Sequence, residues 1–278
     1  MDDRGLDFTG APAGVPSETA LEAPPPSSPM TFVCDSSLAS PCPSPNHGER
    51  TRAISSIVLH YTGMPTARSA LDLLRNPAAE VSAHYFVEED GAILQLVPES
   101  RRAWHAGRSF WDGEADLNCS SIGVEVVHPG HADPRPYSER QIEAVAALVK
   151  DICARRGIAP ERVLAHSDIA VSRKVDPGEF FPWDELAKAG VGLWVAPAPI
   201  FEGEEIAPGD RGETVAALQR DLAAYGYQIE ATGDYGEQTA CVVAAFQRHF
   251  RPAQVDGRAD ASTRATLKAL LAALANGR

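Results

Sequence analysis

The sequence is poor in positive charge: 25 Lys and Arg stand against 38 Asp and Glu, a formal net charge of −13. A sequence-independent grip on nucleic acid needs clustered cations, so this balance argues against that class of partner. No uncharged apolar run approaches the ~18–20 residues of a transmembrane helix, so no integral membrane association is expected. The N-terminus has no basic stretch followed by an apolar one, and no secretory signal is read there. Cysteines are few, odd in number and widely spaced (Cys34, Cys42, Cys119, Cys153, Cys241). They form neither a disulfide framework nor a paired-cysteine metal knuckle, and Cys119 and Cys153 are expected to be buried thiols. The chain does have 44% hydrophobic residues over 278 positions, enough for one large core or two smaller ones.

Residues 1–30 are rich in Pro, Ala, Ser and acids, including Pro24-Pro25-Pro26. They read as a disordered leader, with Met30 as a second candidate start. Pro41–His47 reads as an extended stretch. A buried strand is expected over Ile54–Thr62 and a helix over Ala67–Arg75, stopped by Asn76-Pro77. Asp90-Gly91 signals a hairpin between strands His84–Glu88 and Ile93–Val97. Ile122–Val127 and Val163–Ala165 read as further buried strands. Ser138 and Gln141 form a capping box for a helix that Gly157 ends. Strands alternating with helices, plus a hairpin, imply an α/β fold with a mixed central sheet flanked by helices over residues 31–195. A Pro-rich linker is placed at 196–208 and expected to separate two folding units. Three helices are expected over 209–278 (Thr214–Tyr225, Thr239–Phe250, Ser262–Ala275), with a weak repeat of glycine turn and helix-start threonine at Gly233–Thr239 and Gly257–Thr263.

Among eight histidines, His60 and His166 both end buried strands, the edge where open α/β sheets place their sites. Asp176 follows His166 by ten residues. Two imidazoles and a carboxylate can hold one zinc with a fourth position left for water; they can equally be structural polar groups at loop ends. Glu125 interrupts the apolar run Ile122–Val127. A carboxylate on a buried strand is costly unless paired or used, so it reads as a general base facing a metal-activated water, or as a glutamate on the solvent face of an edge strand. Lys174, two residues before Asp176, would in extended chain share its side and reach an oxyanion; the ordinary reading is a surface lysine. His128-Pro-Gly-His131 with Asp133 is a competing ligand set in a Pro/Gly-rich loop. His84 and His105 are expected to line the cleft or orient ligands. Trp104 and Trp111 offer flat faces to substrate or pack in the core.

Five motifs occur in order: Val58-Leu-His60-Tyr-Thr, Val81-Ser-Ala-His84-Tyr, Arg102-Ala-Trp104-His105-Ala-Gly107, Ser121-Ile-Gly-Val-Glu125, and Leu164-Ala-His166-Ser-Asp-Ile with Arg173-Lys174-Val-Asp176-Pro-Gly178. Together they resemble the AmpD-like zinc-dependent N-acetylmuramoyl-L-alanine amidases, relatives of peptidoglycan recognition proteins, over about residues 40–195. The resemblance implies one Zn²⁺ per chain on His60, His166 and Asp176, with Glu125 and Lys174 as catalytic partners and Tyr61, His84, Trp104, His105 and Asn118 lining the substrate. Residues 205–275 resemble the peptidoglycan-binding type 1 domain through Gly209-Asp-Arg-Gly212, Leu218-Gln219, Gly233-Asp-Tyr-Gly236, Ala245-Phe246-Gln247 and Asp256-Gly257. Arg258-Ala259-Asp260 departs from that pattern in the second repeat.

The expected activity is hydrolysis of the amide between the lactyl group of N-acetylmuramic acid and L-alanine, in peptidoglycan or anhydro-muropeptides. The competing classes are a non-catalytic peptidoglycan sensor and a phage-type lytic amidase acting on intact wall. The missing signal and unpaired cysteines favour the cytoplasm and muropeptide recycling; the wall-binding module favours the periplasm.

Overall fold

Short runs rich in β-branched and aliphatic residues form the central strands, and periodic apolar stretches form the longer helices. In the computed structural model, which describes residues 32–201 and 203–277, the order opens with β1 (Ser40–Pro41), β2 (His47–Glu49), β3 (Ser56–Tyr61) and α1 (Ala67–Leu74). Next come β4 (Tyr85–Val87), β5 (Ile93–Gln95), β6 (Arg101–Ala103), β7 (Phe110–Trp111), β8 (Glu114–Ala115), α2 (Leu117–Ser120) and β9 (Ser121–Val126). The chain continues through α3 (Glu139–Arg156), β10 (Val163–Ala165), α4 (His166–Ile169), α5 (Trp183–Lys188), α6 (Glu213–Tyr225), α7 (Glu237–Phe250) and α8 (Ala261–Gly277). The leader expected over residues 1–30 lies outside the described residues.

Six strands make the central sheet in the order β1-β5-β4-β9-β3-β10. Only β4 and β5 pair antiparallel; the other neighbours are parallel. The β4–β5 connection is the expected hairpin, with Gly91 N–H donating to Glu88 O. The fold is thus a mixed α/β sheet flanked by helices, as the strand and helix alternation implies.

Period-two alternation gives each strand two faces. Ile57, Leu59, Ile122 and Val124 point to one side and meet Ile142, Val145, Leu148, Val149 and Ile152 of α3 in a continuous apolar core. Ser138 caps α3 by accepting from Gln141 N–H (3.2 Å), and Gly157 closes it. The reciprocal arm of the expected capping box is absent. Gln141 is buried and its amide instead donates to Val87 O and Val127 O, tying the helix to the sheet.

On the opposite face Val58 and Leu164 belong to a second apolar cluster, which includes Val215, Leu218 and Leu222 of α6, Phe246 and Phe250 of α7, and Leu267 and Leu270 of α8. The helices after the linker therefore share a core with the sheet. Trp111, 1% exposed, sits at the seam, edge-on to Tyr225 and Tyr227. Gly226 lies beneath it at φ 141°; a Cβ there would meet the indole at 2.6 Å. The linker packs as well, with Ala198 N–H donating to Thr266 Oγ1 and Ile206 bridging Ala259. The expectation of two separately packed units is corrected accordingly: the seam residues are too apolar to leave in water. No helix among the described residues is long and apolar enough to cross a membrane.

Candidate active site

The register of the two central strands sets Val58 opposite Gly123 and His60 opposite Glu125. β9 is flanked by β4 and β3, so Glu125 is not on an edge strand and the solvent-face reading fails. His166 opens α4 directly after β10, which pairs with β3, and so arrives beside His60. Ser167 N–H donates to Asp176 O (2.9 Å), drawing the loop that carries Asp176 against the same turn.

His60, His166 and Asp176 are all buried and converge. His60 Nδ1 lies 2.9 Å from His166 Nδ1 and 3.1 Å from Asp176 Oδ2, and His166 Nδ1 lies 2.9 Å from that same oxygen. Zinc bonds of ~2.0–2.1 Å in a tetrahedron set ligand atoms about 3.3 Å apart. The triangle needs to open by only a few tenths of an ångström, so the donor set fits the ion. Among the described residues no other His, Cys, Asp or Glu group has this convergence.

The imidazoles are held with their Nδ1 lone pairs facing inward. One tautomer assignment satisfies the chain behind His60: Nε2–H donates to His105 Nδ1 (3.0 Å), His105 Nε2–H donates to Ser121 Oγ (3.2 Å), and Ser121 donates to Leu117 O. His166 Nε2–H donates to Ala106 O (3.2 Å). Such outer partners fix ring orientation and ligand basicity. Gly123 makes the first chain possible, because a Cβ there would lie 2.4 Å from the His105 ring.

Burial, then the nearby His166, push the His60 imidazole down to about 4, so it is neutral at pH 7. Burial and the neighbouring His60 and His84 hold His105 well below the usual range. Burial alone would raise the Asp176 carboxyl, but His166 and His60, each within 3.1 Å of its Oδ2, outweigh it and hold the carboxyl below its ordinary range. Glu125 behaves oppositely. Burial and the charge of Asp176 raise its carboxyl well above the ordinary value, against the pull of Lys174. Its Oε2 is buried without a hydrogen-bond partner.

These groups line a cavity of about 320 Å³ with Tyr61, Met64, Leu73, Trp104, His105 and Lys174. Lys174 reaches it by a different route from the one its spacing suggested. Its N–H donates to Ala170 O (3.0 Å), so it leaves a turn rather than an extended segment. Two residues expected to line substrate do not. His84 is fully buried, accepting from Gly123 N–H at Nδ1 (2.9 Å) and packing edge-on beneath His105. Asn118 is buried and its Oδ1 accepts from the N–H groups of His105 and Ala106, so it shapes the loop behind the ligands. Trp111 is core, as described above.

The competing set His128, His131 and Asp133 diverges. His128 stacks on Tyr137 and Phe180, its Nδ1 accepts from Gly130 N–H, and its Nε2–H donates to Arg135 O. His131 spans Tyr61 Oη and Glu179 Oε2, each at 3.1 Å, and Asp133 meets Arg135. Cys119 is buried, accepting from Thr51, whereas Cys153 is partly exposed. A larger cavity of about 740 Å³ lies along the seam between Arg108, Arg173, Gln228 and Gln238 and contains none of the expected site residues. Sequence reasoning missed Ser121 and Asp168: both sit inside quoted motifs, but neither carries a sign of what it would touch.

The family described as N-acetylmuramoyl-L-alanine amidase matches residues 50–179, and a peptidoglycan binding domain matches residues 211–267. The chain is 40% identical over 232 residues to the N-acetylmuramoyl-L-alanine amidase AmiD of Escherichia coli K12, covering 78% of this chain and 82% of that one. It is 32% identical over 164 residues to amidase A of Achromobacter lyticus, covering 51% and 86%. The solved structure of AmiD from E. coli with the substrate anhydro-N-acetylmuramic acid-L-Ala-D-gamma-Glu-L-Lys superposes with a TM-score of 0.68 at 39% identity, covering 81% of this chain and 91% of that one. AmpDh3 of Pseudomonas aeruginosa superposes with a TM-score of 0.66 at 32% identity, covering 88% and 99%.

Proposed function

The chain belongs to the N-acetylmuramoyl-L-alanine amidase family, and from that premise we propose how its own residues cleave the amide between the muramic lactyl group and L-alanine. The observation that carries the reading is the convergence of His60, His166 and Asp176 beside Glu125, whose Oε2 is buried without a partner. Those three residues would hold one zinc ion, which when bound supplies a Lewis acid and lowers the pKa of water.

Glu125 takes the proton of the attacking water at its unpartnered Oε2, and its raised pKa suits a base working near neutrality. The Lys174 ammonium stands in the same cavity and faces the charge that grows on the lactyl carbonyl oxygen. Glu125 then returns its proton to the leaving amine of L-alanine. Tyr61 and Trp104 offer walls for sugar or peptide. A non-catalytic binder has no use for a buried, unpartnered carboxyl beside a ligand triad. The complex of AmiD makes anhydro-muropeptides the substrate class to test first.

The full chain should hold one zinc by elemental analysis and release the peptide from anhydro-N-acetylmuramyl-tripeptide, read by mass spectrometry. His166→Ala should abolish both. Full zinc occupancy in that variant, or turnover without metal, overturns the assignment.

A further inference from the structure

We infer that Tyr227 and His249, from the helices after the linker, are positioning residues for His166. The inference rests on the proposed zinc amidase centre and adds to it a role for two residues within the stretch that matches a peptidoglycan binding domain.

The link is Asp168, two residues past His166 and 1% exposed. Its Oδ2 accepts from Ala165 N–H (2.9 Å), the peptide at which β10 turns into α4 and presents His166. The same Oδ2 accepts from His249 Nδ1–H (2.7 Å), and Oδ1 accepts from the Tyr227 hydroxyl (2.7 Å). Among the described residues these are its two side-chain donors, and both lie beyond the linker. A buried carboxylate left without donors is strongly unfavourable. Without them Asp168 would rotate toward water and release Ala165.

The donors are themselves fixed. His249 is sandwiched between Trp183 and Phe250, with ring centroids 3.8 and 3.9 Å away, and Tyr227 packs edge-on against Trp111. α4 and α7 pack directly together. His166 has little slack, since its Nδ1 must face Asp176 and His60 while Nε2 reaches Ala106 O. A turn that loosens by a fraction of an ångström misaims a ligand.

The test compares Tyr227→Phe, His249→Phe and His249→Asn in the full chain. The first two each delete one donor while keeping a ring. The third restores an N–H close to the place of Nδ1. Zinc affinity is measured by chelator competition, kcat and KM on a small soluble anhydro-muropeptide, and Tm separately. Loss of an outer partner of this kind typically costs ~10–100-fold in metal affinity or activity. Tyr227→Phe and His249→Phe should lose zinc affinity by that order and lower kcat with KM little changed, and His249→Asn should recover most of both. Should His249→Phe fail to fold, Tyr227→Phe, which removes a single oxygen, carries the test alone. Wild-type zinc affinity and kcat in these variants, with only Tm lowered, overturn the inference and leave the amidase centre standing. A wild-type chain that binds no zinc overturns the centre itself, and this inference with it.

Discussion

The two faces of β3 and β9 are built from alternate residues of the same twelve positions, yet they do opposite things. On one face Ile57, Leu59, Ile122 and Val124 are all apolar and buried under α3. The other sets His60 beside Glu125 and leaves Gly123 bare for a histidine ring to cross. The first gains stability from every methyl group it hides. The second holds a carboxyl whose ionisation burial opposes and a polar oxygen with no partner, both of which weaken folding. Strand alternation lets a protein place a strained chemical centre one residue away from the packing that tolerates it.

Single substitutions can break that division. The largest effect is expected from Glu125→Gln, which should keep zinc and lower kcat by ~10²–10⁴-fold, the usual worth of a general base. Zinc loss in that variant would make Glu125 a ligand. The same change should raise stability. In the metal-free protein the folded-state pKa of Glu125 lies above its unfolded value. Its stabilising contribution is therefore complete below the unfolded pKa of ~4.3 and lost as pH rises through the folded one. At pH 7 the metal-free glutamine variant should melt higher than the metal-free parent, by calorimetry. In the wild type, turnover should fall as pH drops through the pKa of Glu125, because the carboxyl must be ionised to take the proton of water.

Leu59→Ala, on the apolar face, should do the reverse: ~2–5 kcal/mol of stability lost with zinc stoichiometry unchanged, read by denaturant unfolding and elemental analysis. If metal is lost while stability holds, the faces are coupled and the comparison fails. Lys174→Ala should lower kcat by roughly 10²–10³-fold, as loss of one oxyanion donor does, with KM nearly constant. The smallest change is expected from Ser121→Ala, which ends the chain behind His60. It should weaken zinc binding by ~10–100-fold, measurable by chelator competition.

Local signals in the sequence reach a good part of this. Apolar runs mark β3, β9 and β10, Asp90-Gly91 marks the hairpin, and Ser138 with Gly157 brackets α3. His60 and His166 stand out as polar groups at the ends of buried strands, and Asp176 by following His166 at ten residues. The pairing of His60 with Glu125 was not legible, since register depends on which strands become neighbours. The shortest elements, such as β7 and β8 with two residues each, carry too little pattern to detect. Asp168 was overlooked because its partners Tyr227 and His249 lie 59 and 81 residues away across the linker. His84 and Asn118 were misplaced for a related reason: a motif says that a residue matters near a site, not whether it faces the cavity or stands behind it.

The indole of Trp111 resting on Gly226 has a consequence for recombination. Replacing the helices after the linker by another module would have to respect this contact. Here the donor module would have to offer a backbone free of any Cβ where the indole lands, a position that in the native chain also accepts the Asp112 N–H through Gly226 O (2.8 Å). A fusion that carries an alanine there meets the ring at an impossible separation, and one that omits the module takes Tyr225 and Tyr227 away and uncovers the Trp111 indole as a sticky patch. Chimaera libraries should therefore take their crossover points upstream of β7 or leave the seam of the native helices intact and vary only their outer surfaces.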